Sequence, residues 1–245
     1  MKTLPKTAGM APCIDARIRE GTEWAVLTPE QIDLFNRKVI CRIYETGETV
    51  FLEGDMCRGL YFIEDGLVGV RKTDRDGQSA LVRLASKGDN LGYRPFLAKQ
   101  AHRASAEVIE DAKVCFIESA TVRAILHDNH ELGERFLERT AKALGEAEER
   151  LYEMLALNVE VRIVHLLILY HDKWGSHLAD GSVLIMLPIS RDDLAAMVGA
   201  HPDSVTRAMR ELESKGLLQH DGRSIRIGGF QRLAEHLHTD LTHFH

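Results

Sequence analysis

No apolar run in this sequence approaches the roughly 18 residues that a membrane helix needs. The longest, Ile163 to Tyr170, is interrupted by His165. The first residues, MKTLPKTAGMAPC, lack the apolar stretch of a secretion signal. No membrane partner is therefore expected, and a cytoplasmic location is the default. The four cysteines, Cys13, Cys41, Cys57 and Cys115, contain no CxxC pair, which excludes a zinc site of the usual spacing. Disulfides are not expected in a cytoplasmic protein. There is no phosphate loop, no Gly-x-Ser-x-Gly and no metalloprotease motif, so the chain does not read as an enzyme. Asp192 and Asp193 are adjacent, so on a helix their carboxylates diverge, and they read as helix N-terminal charge.

An excess of positive charge is also missing. The net charge is −6, which argues weakly against a nucleic-acid partner, although a small basic face can sit on an acidic molecule. From Asn158 onward there are nine Lys and Arg against eleven Asp and Glu, and nine of the twelve histidines. Any affinity for DNA should then depend strongly on salt. The composition itself, 44% hydrophobic and 28% charged over 245 residues, fits a soluble chain of two domains.

Residues 1–27 show little periodicity and read as a mobile N-terminal arm. Thr28 then caps a helix, with Pro29 in its first turn and Gln31 placed to close a capping box. Between Val39 and Ile117, short β-favouring runs alternate with the turn signals Thr46-Gly47, Gly54-Asp55, Asp65-Gly66, Asp76-Gly77 and Gly88-Asp89. This spacing predicts an antiparallel β-barrel or jelly roll over residues 28–129. From His130 to about residue 157 the pattern is a long helix. Leu137, Leu144 and Leu151 recur every seven residues, followed three later by Thr140, Ala147 and Met154. Such a seam suits a helix that pairs with its own copy in a two-fold dimer, or else one packed on its own domain.

Residues 158–245 open with an apolar helix and a short strand ending at Pro188. SRDDLAAMVGAHPDSVTRAMRELESKGLL follows, and it is the most informative stretch. Ser190 caps a first helix with Asp193 as its capping-box partner. Gly199 supplies a left-handed turn, and a second helix starts at His201-Pro202. Ala195, Val198, Val205, Met209 and Leu212 form the inward face. A hairpin around Asp221-Gly222 completes a winged helix-turn-helix. In that motif the start of the second helix meets base edges in the major groove. The candidates for base contact are His201, Asp203, Ser204 and Arg207. Arg207 suits a guanine and Asp203 a cytosine amino group. Asp203, four residues earlier, is also placed to orient Arg207. Ser190, Arg191 and Arg223 suit phosphate contacts. The fold class is thus α+β: an N-terminal antiparallel jelly roll, a long dimerisation helix and a C-terminal winged helix-turn-helix.

TVFLEGD (49–55), LYFIEDGLVGV (60–70), GDNLGYRPFLAKQAHRASAEVIEDAKVCFI (88–117) and ISRDDLAAMVGAHPDSVTRAMREL (189–212) occur in the order found in one family. Over residues 28–230 the chain resembles the cyclic-AMP receptor protein / fumarate-nitrate reductase regulator family. The resemblance implies a homodimer, a palindromic double-stranded DNA operator and contact with RNA polymerase. That family usually carries Glu where this chain has Asp203, and its cyclic-AMP-type members carry Arg where this chain has Pro202, which implies an altered half-site.

Three readings of the sensor stay open. The first is a cyclic nucleotide in a pocket that includes Tyr93, Arg94, Arg103 and Ala104. Arg103 matches the family's phosphate Arg, but Ala104 replaces its Ser and Tyr93 stands near its ribose Glu, which argues against cyclic AMP. The second is an iron–sulfur cluster, with Cys13 and Cys115 at cluster-ligand positions and Cys41 and Cys57 to be recruited. The third is haem on His102, Cys57 or Cys115, another small molecule, thiol oxidation, or no ligand. The terminal HLHTDLTHFH has metal-capable spacing but reads as a frayed tail. The rival function from another class is a barrel-type module that regulates a protein partner.

Overall fold

A computed structural model describes residues 20–229 and Leu233. The chain divides into two compact units, Met1–Gly145 and Glu146–His245. The division falls inside the long helix rather than after it.

The first unit begins with a 3-10 turn, Glu23–Val26, inside the stretch expected to be a mobile arm. Trp24 is fully buried there, so residues from Glu23 onward belong to the core. Its ring packs edge-on against Phe35 and Phe136, with centroids 5.0 and 5.5 Å away. Its indole N–H donates to Asn90 Oδ1 at 2.9 Å. Aromatic periodicity cannot show such a residue, because its partners lie far along the chain. Truncating a core Trp of this kind costs about 3–5 kcal/mol. Residues 1–19 lie outside the described residues.

Helix α1 (Pro29–Lys38) starts at the Thr28 cap, and the capping box with Gln31 is formed. Strands β1 (Ile40–Tyr44), β2 (Thr49–Phe51), β3 (Gly59–Thr73), β4 (Ser79–Ser86) and β5 (Asn90–Leu91) precede a short helix α2 (Tyr93–Ala98) and strand β6 (Ser105–Glu118). All pairings are antiparallel. The order is β1-β6-β3-β4, with β2 added on β6 and β5 on β3. The long β3 and β6 are the spine of this jelly-roll domain. Asp65-Gly66, expected to be a turn, instead lies within β3. The register slips on both sides of Asp65, so the strand bulges and runs on. Gly66 has φ +89°, and a Cβ there would lie 2.2 Å from the Asp111 carbonyl oxygen. The glycine thus serves a bulge, where both its positive φ and its lack of a side chain are needed.

Helix α3 (Ser119–Asp128) leads to the long α4 (His130–Ala156). Leu132 and Phe136 in its first turns are buried in the core that also holds Trp24, Phe35 and Leu60. Beyond them Leu137, Leu144 and Leu151 are 69%, 60% and 60% exposed.

The second unit contains α5 (Val159–Trp174), β7 (Gly175–His177), β8 (Val183–Met186), α6 (Arg191–Val198), α7 (Pro202–Ser214), β9 (Leu218–Asp221) and β10 (Ser224–Ile227). Its sheet order is β7-β8-β10-β9. Val161, Ile163, Val164 and Leu167 of α5 are buried, as are Ile185, Ile225 and Ile227 of the sheet. Ala195, Val198, Val205, Met209 and Leu212, the expected inward face, are buried together. No helix among the described residues is long and apolar enough to cross a membrane.

Candidate functional site

The helix-turn-helix is built on local capping. Ser190 Oγ accepts from the Asp193 backbone N–H at 3.0 Å, and the Asp193 carboxylate accepts from the Ser190 N–H in return. Ser190 Oγ also donates to Asp193 at 2.9 Å, so the hydroxyl expected at a phosphate is already engaged within its own cap. The turn after α6 places Gly199 at φ +62°. Arg162 of α5 donates to the carbonyl oxygens of Val198 and Gly199 at 2.7 and 3.1 Å. A cation thereby occupies the negative end of the α6 dipole and satisfies carbonyls that a helix end leaves open. The sequence pattern did not reveal this cap, because Arg162 lies 36 residues away from Val198.

Buried Val205, Ala208, Met209 and Leu212 fix which face of α7 turns outward. On the outward side His201, Asp203 and Arg207 are exposed and Ser204 is half-buried. His201 caps the helix, accepting from the Asp203 N–H through Nδ1 at 3.3 Å. Asp203 does not orient Arg207 as its spacing suggested. Its carboxylate lies 3.7 Å from His201 Nδ1, whereas Arg207 donates to Ser204 Oγ at 3.3 Å. The i,i+3 partner and the cap residue have won over the i,i+4 pair. Arg191 is exposed at the first turn of α6 and Arg223 at the tip of the β9–β10 wing, beside Gly222.

In the first unit a cavity of about 350 Å³ opens among β2, β3, β4, β5, α2 and the segment just before β6. Tyr93, Arg94, Arg103 and Ala104 all line it, so the four residues chosen from the sequence come together. Tyr93 is a buried wall, and Arg94 and Arg103 are exposed. The structure adds Lys72, Arg83 and His102. Among the described residues, four cations and no carboxylate therefore line this cavity. Arg83 is half-buried; burial works against its charge, which Asp89 helps to retain. Its Nε is buried without a hydrogen-bond partner among the described residues. A guanidinium with an orphan N–H beside a cavity calls for an acceptor, and an anionic ligand would supply one. Sequence reasoning missed Arg83 because it sits on a strand where alternation alone says only "polar". His102 stacks on Phe51 at 3.9 Å between centroids.

The cavity wall is tied to α4. Arg139 donates to Glu23 and to Asp89, both at 2.8 Å, and its guanidinium lies 5.4 Å from the centre of the Tyr93 ring. Glu23 in turn accepts from Asn90, the residue that holds Trp24.

The cysteines correct the expectation that disulfides are absent. Cys41 and Cys115 face each other in the β1–β6 register and are joined as a disulfide, 74 residues apart in sequence. Sheet register, invisible in the scattered spacing, brings them together. Cys57 lies elsewhere, its Sγ 3.3 Å from the Gly59 carbonyl oxygen. Cys13 and the terminal histidine-rich segment fall outside the described residues. A four-iron cluster needs four thiolates, and the group around Cys115 offers Cys41 and Glu64 but not Cys57. Among the described residues, those around Cys115 do not supply four thiolates. Of the haem candidates His102, Cys57 and Cys115, only His102 lines the cavity.

Two family models match the chain, a cyclic nucleotide-binding domain at residues 41–129 and a Crp-like helix-turn-helix domain at 161–236. Among curated relatives, the CRP-like cAMP-activated global transcriptional regulator of Mycobacterium tuberculosis is 24% identical over 78% of this chain and 85% of its own. The nitrogen fixation regulation protein FixK of Bradyrhizobium diazoefficiens is 25% identical over 87% of this chain and 89% of its own. The solved structure of FixK2 from Bradyrhizobium japonicum superposes with a TM-score of 0.70 at 23% identity, covering 80% of this chain and 96% of that one. With a ligand-sensing β-domain followed by a DNA-binding helix-turn-helix, and with relatives that are regulators rather than enzymes, this chain belongs to the CRP/FNR family of transcription regulators.

Proposed function

We propose that the protein is a homodimeric, sequence-specific DNA-binding regulator that responds to a small organic anion in its β-domain cavity. The observation that carries the DNA half is the outward face of α7. Its apolar side is buried, and its first turns present His201, Asp203, Ser204 and Arg207 to solvent. Arg207 offers a guanine the bidentate donor pair, and Asp203 offers an acceptor to a cytosine amino group. Arg191 and Arg223 would hold phosphates on either side, with Ser190 setting the helix start. Dimerisation through Leu137, Thr140, Leu144, Ala147, Leu151 and Met154 would pair two recognition helices. They would then meet half-sites of a palindromic operator about 34 Å apart. The exposure of the three leucines supports this reading. The family resemblance supports a further contact, with RNA polymerase.

The sensing half rests on the cavity. Lys72, Arg83, Arg94 and Arg103 favour an anion, and the missing carboxylate argues against a ligand whose ribose hydroxyls need an acceptor. Ligand entry beside Tyr93 would act on α4 through Arg139, which faces that ring. The helices of the dimer would then meet differently and reposition the recognition helices.

The test is selection of bound duplexes from a random DNA library with the purified full chain, followed by gel shifts. A palindromic consensus is expected. Arg207→Ala should lose about tenfold or more in affinity and relax the preference at one base pair per half-site. Enrichment of no sequence, or an unchanged consensus with Arg207→Ala, would refute the assignment.

A further inference from the structure

Cys41, Cys115 and Glu64 bring three metal-capable atoms within 4.8 Å of one another. Each arrives from a different strand of the sheet. Cys41 and Cys115 are register partners on β1 and β6. Glu64 sits in the β3 bulge, between the pairs Ile63–Val114 and Asp65–Lys113, so it has no register partner of its own. A bulge re-aims a side chain that regular alternation would place elsewhere. Here it brings Glu64 Oε2 to 3.5 Å from Cys115 Sγ.

The two oxygens of Glu64 divide their tasks. Oε1 accepts from Lys113 Nζ at 2.7 Å, while Oε2 faces the sulfurs. A carboxylate anchored through one oxygen and turned toward soft ligands with the other is the arrangement of a metal ligand with its outer-shell partner. The charges also close. Two thiolates and one carboxylate carry −3, and a divalent cation with the Lys113 ammonium returns +3. Two sulfurs and one oxygen, with water as a fourth ligand, suit the tetrahedral preference of zinc. Cys115 is fully buried, but Cys41 and Glu64 are half-buried, which provides a path of entry.

We propose that reduced Cys41 and Cys115, together with Glu64, form a binding site for a thiophilic divalent cation of the zinc class, and that the disulfide is the metal-free form of the same site. The chemistry balances. The disulfide plus two molecules of a small thiol yields two protein thiols and one small-molecule disulfide, a two-electron exchange. Binding of the cation then releases the two thiol protons. Oxidation by a low-molecular-weight disulfide reverses the first step and ejects the metal. This site is separate from the cationic cavity and does not depend on the effector proposed for it.

Cobalt(II) titration of the reduced full chain under anaerobic conditions tests the site. Thiolate-to-cobalt charge-transfer absorption is the readout, since histidine-bound cobalt does not produce it. We expect one thiolate-bound cobalt per chain, displaced by zinc and abolished by prior oxidation with a disulfide oxidant. Cys41→Ser should remove the band, and Glu64→Gln should weaken binding about tenfold or more. Cys57→Ser should leave it unchanged. Absence of the band in the reduced wild type, its survival in Cys41→Ser, its loss in Cys57→Ser, or unchanged affinity in Glu64→Gln would each overturn the proposal. Should Cys41→Ser fail to fold by circular dichroism, Glu64→Gln decides, because its half-buried position tolerates an isosteric amide.

Discussion

Arg139 donates to the Glu23 carboxylate at 2.8 Å across 116 residues of sequence. Glu23 is nearly buried, and that guanidinium is its ionic partner. Burial opposes the Arg139 charge, but Glu23 and Asp89 outweigh it and hold the guanidinium firmly protonated. Arg139→Ala would remove the guanidinium from both carboxylates, leaving Glu23 its bond from Asn90 and Asp89 its bond from the Ser86 N–H. The expected loss is about 2 kcal/mol, below the 3–5 kcal/mol of a fully buried pair because Arg139 retains some solvent contact. Urea unfolding of the wild type and variant measures it. Arg139→Lys should recover part of the loss, since one ammonium cannot reproduce two directed N–H pairs.

Leu144 lies at the middle of the exposed heptad seam of α4. In a single chain, Leu144→Glu removes little buried surface and should leave the unfolding midpoint of the isolated fold nearly unchanged. In the proposed dimer it sets two carboxylates against each other in an apolar seam. Sedimentation should then show a shift from dimer to monomer, with operator affinity falling at least tenfold in gel shifts. A variant that remains dimeric would place the interface elsewhere.

Gly199 combines φ +62° with a close neighbour. A Cβ there would stand 2.9 Å from the terminal methyl of Met154. Met154 was assigned to the dimer seam, yet part of its side chain is spent on this turn. Gly199→Ala should cost about 1–2 kcal/mol, mostly from the left-handed backbone, because the flexible Met154 can give way. Gly199→Asn should cost less, as Asn tolerates this region better. Denaturant unfolding compares the two.

Burial pushes the His102 imidazole below its ordinary 6.5, with Asp55 opposing in part. The folded protein therefore keeps His102 neutral where the unfolded chain would protonate it. This contribution to stability is present above about pH 6.5 and is lost as pH falls from there through the lower folded value. The stability of the wild type relative to His102→Gln should decrease between about pH 7 and pH 5.5. Urea midpoints at the two pH values check the direction, and the paired comparison cancels the other histidines.

The legible parts of the molecule were those encoded within a few residues. Thr28 with Gln31, Ser190 with Asp193, Gly199, and the Asp221-Gly222 hairpin all form as their spacing implies. The cavity residues Tyr93, Arg94, Arg103 and Ala104 were legible through family resemblance, because their order along the chain places them on one connected segment. Asp65-Gly66 misled, since a turn and a bulge require the same left-handed glycine. Asp203 misled because helical spacing names neighbours without saying which neighbour captures the side chain.

The sequence by itself determined the order of the elements, the inward face of the helix-turn-helix and the identity of the residues α7 presents to solvent. These follow from periodicity and capping, which act over one or two helical turns. Only the tertiary structure decided that Arg83 faces the cavity, that Arg139 holds Glu23 and Asp89, and that Cys41, Glu64 and Cys115 converge. The last of these meetings depends on strand register and on a bulge that shifts it. Register is the sum of pairings between segments tens of residues apart, so no local pattern can contain it.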